Sequence, residues 1–303
     1  MNYSTLACIL AYYPEDGFNN ICTIIAQQVD FLLIVDNSPD DSLANSGYQF
    51  PTNSSIYFNR NIGTVAGALN VAIKKARDEK FDFLQIFDQD TQPILGITKR
   101  LIDSLLKYPN IGIISPRFVN LNTGYPGRVL IDRGRWCPQN TWPNSDIGIV
   151  DVLFTINSAS LLNIKLIPQD IYYDERLVID GCDIDFCLAL KRLEFKIKID
   201  TGLFIPHGIG NRNNQSGRWS PTNYSIERKE LMSKNRIIVW RRYLKYYPGF
   251  IINDFLVFIL DSGRSIFMEK RGFRKMFAII KGMVKGLLEK NIQRRSFKTN
   301  NII

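Results

Sequence analysis

Histidine is almost missing from this sequence: His207 is the only one in 303 residues. With one imidazole and no Cys-x-x-Cys pair, the paired ligand spacing of a zinc site is absent. Cysteine is scarce too. Five scattered cysteines, an odd number, make no disulfide framework. They are expected to be reduced and mostly buried, as in a cytosolic protein. Long apolar runs are also lacking. The longest candidate, Phe250 to Leu260, is short and interrupted by Asp254, which argues against a spanning helix. The first residues carry neither a basic n-region nor a small-residue cleavage site, so no leader is expected. There is no Walker phosphate loop, no recognised nucleic-acid motif, no repeat and no low-complexity tract.

What is present suits a globular protein of one or two domains, with 45% apolar and 22% charged residues. The formal charge of +9 is unevenly placed. From Arg228 onward there are 18 Lys/Arg against 5 Asp/Glu, whereas residues 1–227 hold 20 against 24. A mildly acidic body therefore precedes a strongly basic tail, which points to an anionic partner for the tail.

The first half alternates short apolar runs with helical periodicity. Leu6–Ala11, Phe31–Val35, Ser55–Phe58, Phe83–Phe87 and Ile111–Ser115 read as strands. Phe18–Gln28, Thr64–Lys80 and Ile97–Lys107 read as helices. This order implies βαβ units and a mostly parallel sheet, with ligands beyond the carboxyl ends of the strands. Further on, 124–146 reads as a long loop or irregular hairpin. Val150–Ser158 and Phe195–Asp200 read as strands, Ala159–Leu166 and Ile184–Leu193 as helices. His207 to Pro221 is polar and Gly-rich and reads as a mobile loop over a site. Helix dominates from Tyr224.

Five motifs carry chemistry. Asp36 ends a strand and can accept from a base imide or a ribose hydroxyl, or simply cap the turn at Asn37-Ser38-Pro39. Asn59 to Asn70 leads through Gly63, Ala66 and Gly67 into a helix. Its small residues permit either close approach of an anionic ligand or tight packing. Asp88-Gln89-Asp90 sets two carboxylates at a strand end, a pattern suited to a hard divalent cation that also holds substrate phosphates. Asp183 and Asp185 flank a helix start, where an acid is either a cap or a general base. His207 is either structural or a third metal ligand.

The order VDNS at 35–38, NRNIGTVAGALN at 59–70, FDQD at 87–90, IDGCDIDFCL at 179–188 and PHGIG at 206–210 resembles the family 2 glycosyltransferases. Within them it is most similar to bacterial rhamnosyltransferases of O-antigen and capsule assembly. The resemblance covers residues 5–240, and Tyr224, Arg228 and Lys234-Asn235-Arg236 extend it. It implies the GT-A fold: a Rossmann-like, mostly parallel α/β sheet with helices on both faces. A catalytic domain over 1–223 would be followed by a basic helical region over 224–303. The implied activity is inverting transfer of a sugar, rhamnose from dTDP-L-rhamnose, to a hydroxyl of a lipid-linked saccharide. UDP-galactose or UDP-glucose are alternative donors. By position, Asp183 would be the base. Asp36, Asn61, Gly63, Asn70 and Asp88 would bind the nucleotide sugar, and Arg228 or Arg236 would stabilise the leaving group. Asp90, with Asp88 and His207, would hold Mg²⁺ or Mn²⁺. The position where the family carries an Arg after the helix start holds Ala189, with Lys191 and Arg192 nearby.

In the tail, Phe273, Met276, Phe277, Ile280 and Val284 recur at spacings of three and four among Lys and Arg. The stripe describes a basic amphipathic helix, either bound to an anionic membrane surface or packed on the main domain. Such a protein would sit on the cytoplasmic face of the inner membrane. Nothing requires an oligomer, although a dimer through the tail is open. Two other classes remain: a nucleotidyltransferase, which would want a basic Gly-rich loop after the first strand, and a nucleic-acid binder, which leaves the acidic motifs without a task.

Overall fold

The structure is a computed structural model and describes residues 3–121, 124–142, 147–208 and 221–290. Four parallel strands form one half of an eight-stranded sheet: β1 (Thr5–Ala11), β2 (Phe31–Asp36), β3 (Ser54–Phe58) and β4 (Phe83–Asp88). Their sequences are near-continuous apolar runs because both faces are covered. In β1, Leu6, Cys8 and Leu10 enter one core, and Ala7, Ile9 and Ala11 enter the other. Helix α2 (Thr64–Asp78) covers the first face, and α1 (Phe18–Ala26) and α3 (Ile97–Leu106) cover the second. The expected α/β fold with helices on both faces is therefore what forms.

The remaining strands are β5 (Ile111–Asn120), β6 (Val129–Ile131), β7 (Gln139–Thr141), β8 (Ile149–Asp151), β9 (Leu161–Asn163) and β10 (Lys196–His207). The sheet order is β3-β2-β1-β4-β9-β5-β10-β8, and β6 and β7 form a separate hairpin. The chain runs outward from β1 through β2 to β3, then returns to the other side of β1 for β4. This reversal opens a crevice at the carboxyl ends of β1 and β4, the place where open α/β sheets bind ligands.

Three element expectations need correction. Ala159–Leu166 is not a helix: Leu161–Asn163 is a strand inserted antiparallel between β4 and β5. A short apolar run has no periodicity that tells strand from helix, and its backbone groups complete two ladders here. The strand expected over Val150–Ser158 pairs with β10 only through β8, after which the chain bends into the cleft. The strand expected at Phe195–Asp200 continues to His207, with a register shift between Asp200 and Phe204. That extension carries His207 to the ligand edge. Most of the polar loop beyond it, 209–220, lies outside the described residues.

Helix α4 (Cys182–Arg192) lies on the α2 face. The expected helical region supplies α5 (Ile226–Tyr243), α6 (Pro248–Met268) and α7 (Gly272–Leu288). It shares a core with the sheet. Ile238, Val239 and Tyr243 of α5, with Phe250 and Ile251 of α6, belong to the same core as β1 and α2. No helix among the described residues is long and apolar enough to cross a membrane.

Candidate active site

Asp88 ends β4 at the crevice, and the turn Asp88-Gln89-Asp90 is pinned from two sides. The Asp88 backbone N–H donates to Thr91 Oγ1 at 3.1 Å. The Tyr12 N–H donates to Gln89 Oε1 at 2.6 Å, tying the turn to the end of β1. His207, at the end of β10, brings Nδ1 to 3.6 Å from an Asp90 oxygen. One ligand atom each from Asp88, Asp90 and His207 lies within 4.8 Å of the others. Two carboxylate oxygens and one imidazole nitrogen from separate strand ends form a donor set that Mn²⁺ or Mg²⁺ accepts. Burial pushes the Asp88 carboxyl up to about 6, the His207 charge offsets part of this, and Asp90 adds to it. A cation bound there would favour the ionised form, so the residues present fit a divalent metal.

Asp183 approaches the same crevice from α4. Gly181 caps that helix with φ 86°, a left-handed conformation open to glycine at no steric cost, and so turns the chain sharply into the cleft. Asp183 Oδ1 accepts from the Ile184 N–H at 2.8 Å, while the carboxyl stays half-buried. Burial raises it to about 6; the Ile184 bond opposes the rise, and the neighbouring Asp180 and Asp88 charges add to it. A carboxylate so poised is suited to take a proton near neutrality. Asp185, two residues on, is fully buried and serves the fold: Arg242 donates to it, and Tyr243 Oη donates to its Oδ1 at 3.0 Å.

Several expected site residues have other work in this structure. Asp36 has no exposed surface, and its oxygens accept from the Ser38 N–H at 2.9 Å and the Leu43 N–H at 2.8 Å. It caps the turn rather than facing a base. Asn70 is also buried: its amide donates to the Tyr173 carbonyl at 3.0 Å and accepts from the Tyr173 N–H at 2.8 Å. It also donates to Glu175 Oε1 at 3.0 Å, and it reaches the site through Tyr173, whose ring stacks on Phe186 and whose hydroxyl feels both Asp183 and Asp88. A Cβ at Gly63 would lie 2.7 Å from the Glu175 carboxyl and 2.9 Å from Gly67, so the close approach there is to the protein's own chain. Arg236 turns away to α6 and pairs with Asp254 at 3.0 Å.

Asn61 and Arg228 stay at the rim. Asn61 Oδ1 accepts from the Asn37 side-chain amide at 3.3 Å, and the Asn59 side-chain amide donates to Asn37 Oδ1 at 2.7 Å. Arg228 stacks on Tyr224 and donates to Asp180 at 3.2 Å, beside the start of α4. Sequence reasoning missed the hydroxyls behind the acidic cluster. Thr91 Oγ1 and Ser158 Oγ share a hydrogen bond at 2.6 Å, and Ser158 Oγ lies 3.4 Å from His207 Nδ1. Thr91 follows the acidic motif directly and could have been suspected. Ser158 has no local signal.

A mostly parallel α/β sheet with this cleft is the GT-A fold. No known protein-family profile matches the chain. It is 24% identical over 229 residues to the dTDP-rhamnosyl transferase RfbF of Shigella flexneri, covering 70% of this chain and 72% of that protein. It is also 24% identical over 213 residues to glucomannan 4-beta-mannosyltransferase 9 of Arabidopsis thaliana, covering 67% of this chain but only 39% of that protein. Among solved structures, S. aureus TarS 1-349 in complex with UDP-GlcNAc aligns with TM-score 0.59 at 14% identity, over 93% of this chain and 81% of that one. GalNAc-T7 with UDP, GalNAc and Mn²⁺ aligns with TM-score 0.56 at 11% identity, over 82% and 49%. The structural likenesses carry the fold; the sequence likenesses support a glycosyltransferase.

Proposed function

We propose that this protein is an inverting, divalent-metal-dependent glycosyltransferase that moves L-rhamnose from dTDP-L-rhamnose to a hydroxyl of a lipid-linked saccharide. The acceptor would be presented at the cytoplasmic face of the inner membrane during surface-polysaccharide synthesis. The observation that carries the reading is the meeting of Asp88, Asp90 and His207 with an independently positioned carboxylate, Asp183, at one sheet edge. The likeness to RfbF supports the donor.

Asp88, Asp90 and His207 would hold the metal. When bound, it supplies positive charge against the growing negative charge of the departing diphosphate. Arg228, drawn from Asp180, would add a donor on the leaving-group side. Asp183 takes the acceptor proton as the acceptor oxygen bonds to the anomeric carbon, and the bond from that carbon to the diphosphate breaks. Inversion follows because base and leaving group act on opposite sides of that carbon. Asn61, partly exposed and held by the buried Asn37, which Asn59 braces, would meet the nucleotide in place of the buried Asp36.

Calorimetry with dTDP-L-rhamnose, UDP-galactose and UDP-glucose, each with and without Mn²⁺, tests the reading. Metal-dependent binding selective for the rhamnose donor is expected, and Asp90→Ala should abolish the metal dependence. Equal binding by wild type and Asp90→Ala would overturn the metal assignment. Preference for a UDP-sugar would overturn the donor.

A further inference from the structure

The sequence directs attention to one face of α7, and the structure turns that face outward. Phe273, Phe277, Ile280 and Val284 are exposed, Phe273 by 74% and Phe277 by 66%. The opposite face carries Ala278, Ile279, Gly282 and Gly286 and packs on α5. A Cβ at Gly282 would meet the Glu230 carbonyl oxygen at 2.1 Å, which fixes how closely the two helices approach. The apolar stripe is therefore not what holds α7 to the protein.

Helix α6 repeats the arrangement, which the sequence did not reveal. Its inner side buries Phe250, Ile251, Asp254, Phe258 and Ser265. Its outer side presents Ile252, Phe255, Leu256, Ile259, Leu260 and Phe267, with no charged side chain between them along the stripe. Phe267, 87% exposed, Met268 and Phe273 crowd the joint between the two helices. Exposed Trp136 belongs to the loop that packs on the first turn of α6. So many large apolar side chains on two adjoining helices mark an interaction surface rather than the usual scatter of exposed residues.

The charge beside this surface selects the occupant. Lys270, Arg271 and Arg274 stand at the aromatic joint and form no ion pair among the described residues. Lys281 and Lys285 flank the α7 stripe and share a single acid, Glu230. Aromatic side chains set among cations suit the interface of an anionic bilayer, with the apolar groups below the headgroups and the cations among the phosphates.

We infer that the outer faces of α6 and α7 dock this protein on an anionic lipid surface, with the Phe267–Arg274 joint inserted first. The helices lie on the bilayer, since Asp254, Asp261 and Arg264 on the inner side of α6 bar it from spanning. The surface is separate from the acidic cleft and does not depend on the chemistry proposed for it.

Co-sedimentation of the full chain with phosphatidylcholine vesicles, with and without one third phosphatidylglycerol, tests this by reading binding rather than transfer. Binding is expected to be strong only with phosphatidylglycerol and to weaken with salt. Phe267→Ser/Phe273→Ser/Phe277→Ser should lower it at least about tenfold. Lys270→Glu/Arg274→Glu should lower it about as much and remove the preference for phosphatidylglycerol. All of these side chains point outward, so thermal melts should match wild type. Failure of wild type to bind either vesicle, or wild-type binding by the triple variant, would overturn the inference. So would light scattering that shows a dimer broken by the triple variant without vesicle binding, which would make a second copy the occupant.

Discussion

Asp183 stands between two demands. Its burial and the neighbouring Asp180 and Asp88 hold its carboxyl near 6, against 3.8 for an ordinary aspartate. As a base it must be ionised, so kcat/KM should fall about tenfold per pH unit below about 6. Asp180→Asn removes one of the charges that raise it and frees Arg228 from its partner, so that limb should move to lower pH. A pH–rate profile of the two proteins checks this. The stability consequence has the opposite sense. A carboxyl whose folded pKa is raised binds more protons folded than unfolded between about 4 and 6, so its contribution falls as pH rises through that window. At pH 7 the charged Asp183 therefore weakens the fold. Asp183→Asn should be inactive, still bind donor, and melt higher than wild type at pH 7 by on the order of 1–2 kcal/mol, after allowing for partial solvent access. The difference should shrink at pH 4; a variant equally destabilised at both pH values would show that Asp183 is a structural cap instead.

Among the elements, those that bury a long periodic face were legible in the sequence, and those defined by partners were not. The strands β1, β2 and β4 and the helix α2 follow from apolar runs and spacing that their own burial demands. Leu161–Asn163 could not be read, because two residues of apolar signal fit strand or helix until β4 and β5 stand on either side. The site divides in the same way. The positions of Asp88, Asp90 and Asp183 follow from strand and helix ends, and their chain order was enough to single them out. The work of Asn70 was hidden because Tyr173, its partner, lies 103 residues away. Asn70→Ala would leave the buried Tyr173 N–H without an acceptor and should cost about 1–3 kcal/mol. By loosening Tyr173 between Asp88 and Asp183, it should lower kcat more than it raises KM for the donor, which steady-state kinetics would show. The close contact of α7 with α5 is equally specific. Gly282→Leu cannot be accommodated beside the Glu230 carbonyl, and faster hydrogen exchange is expected in α7 while the sheet stays protected.

Across the whole molecule, the acidic body and the basic tail share a core and, within it, a buried clamp. Arg242 of α5 donates to Asp185 of α4 and, at 2.9 Å, to Asp174; Arg176 also donates to Asp174, at 2.6 Å, and draws its carboxyl down to about 2. Tyr243, beside it, is fully buried and donates to the Asp185 carbonyl oxygen at 2.9 Å. A division of the chain at 223 would remove Arg242 and Tyr243 together and take both of these donors from Asp185 inside the core. Removing one side of a buried ion pair costs about 3–5 kcal/mol, a large share of the 5–15 kcal/mol that holds a typical domain. A chain ending at 223 should therefore be insoluble, although it contains every strand and every residue of the acidic cleft. A chain ending at 268 keeps α5, the clamp and the core residues of α6 and loses α7, the residues after it and Glu269, the partner of Lys229. It should fold, bind donor with wild-type affinity, and partition more weakly onto anionic vesicles. Soluble yield and calorimetry on the two truncations separate these cases. A folded, donor-binding 1–223 fragment would show that the clamp is dispensable and that the basic helices are an appended unit rather than part of the catalytic body.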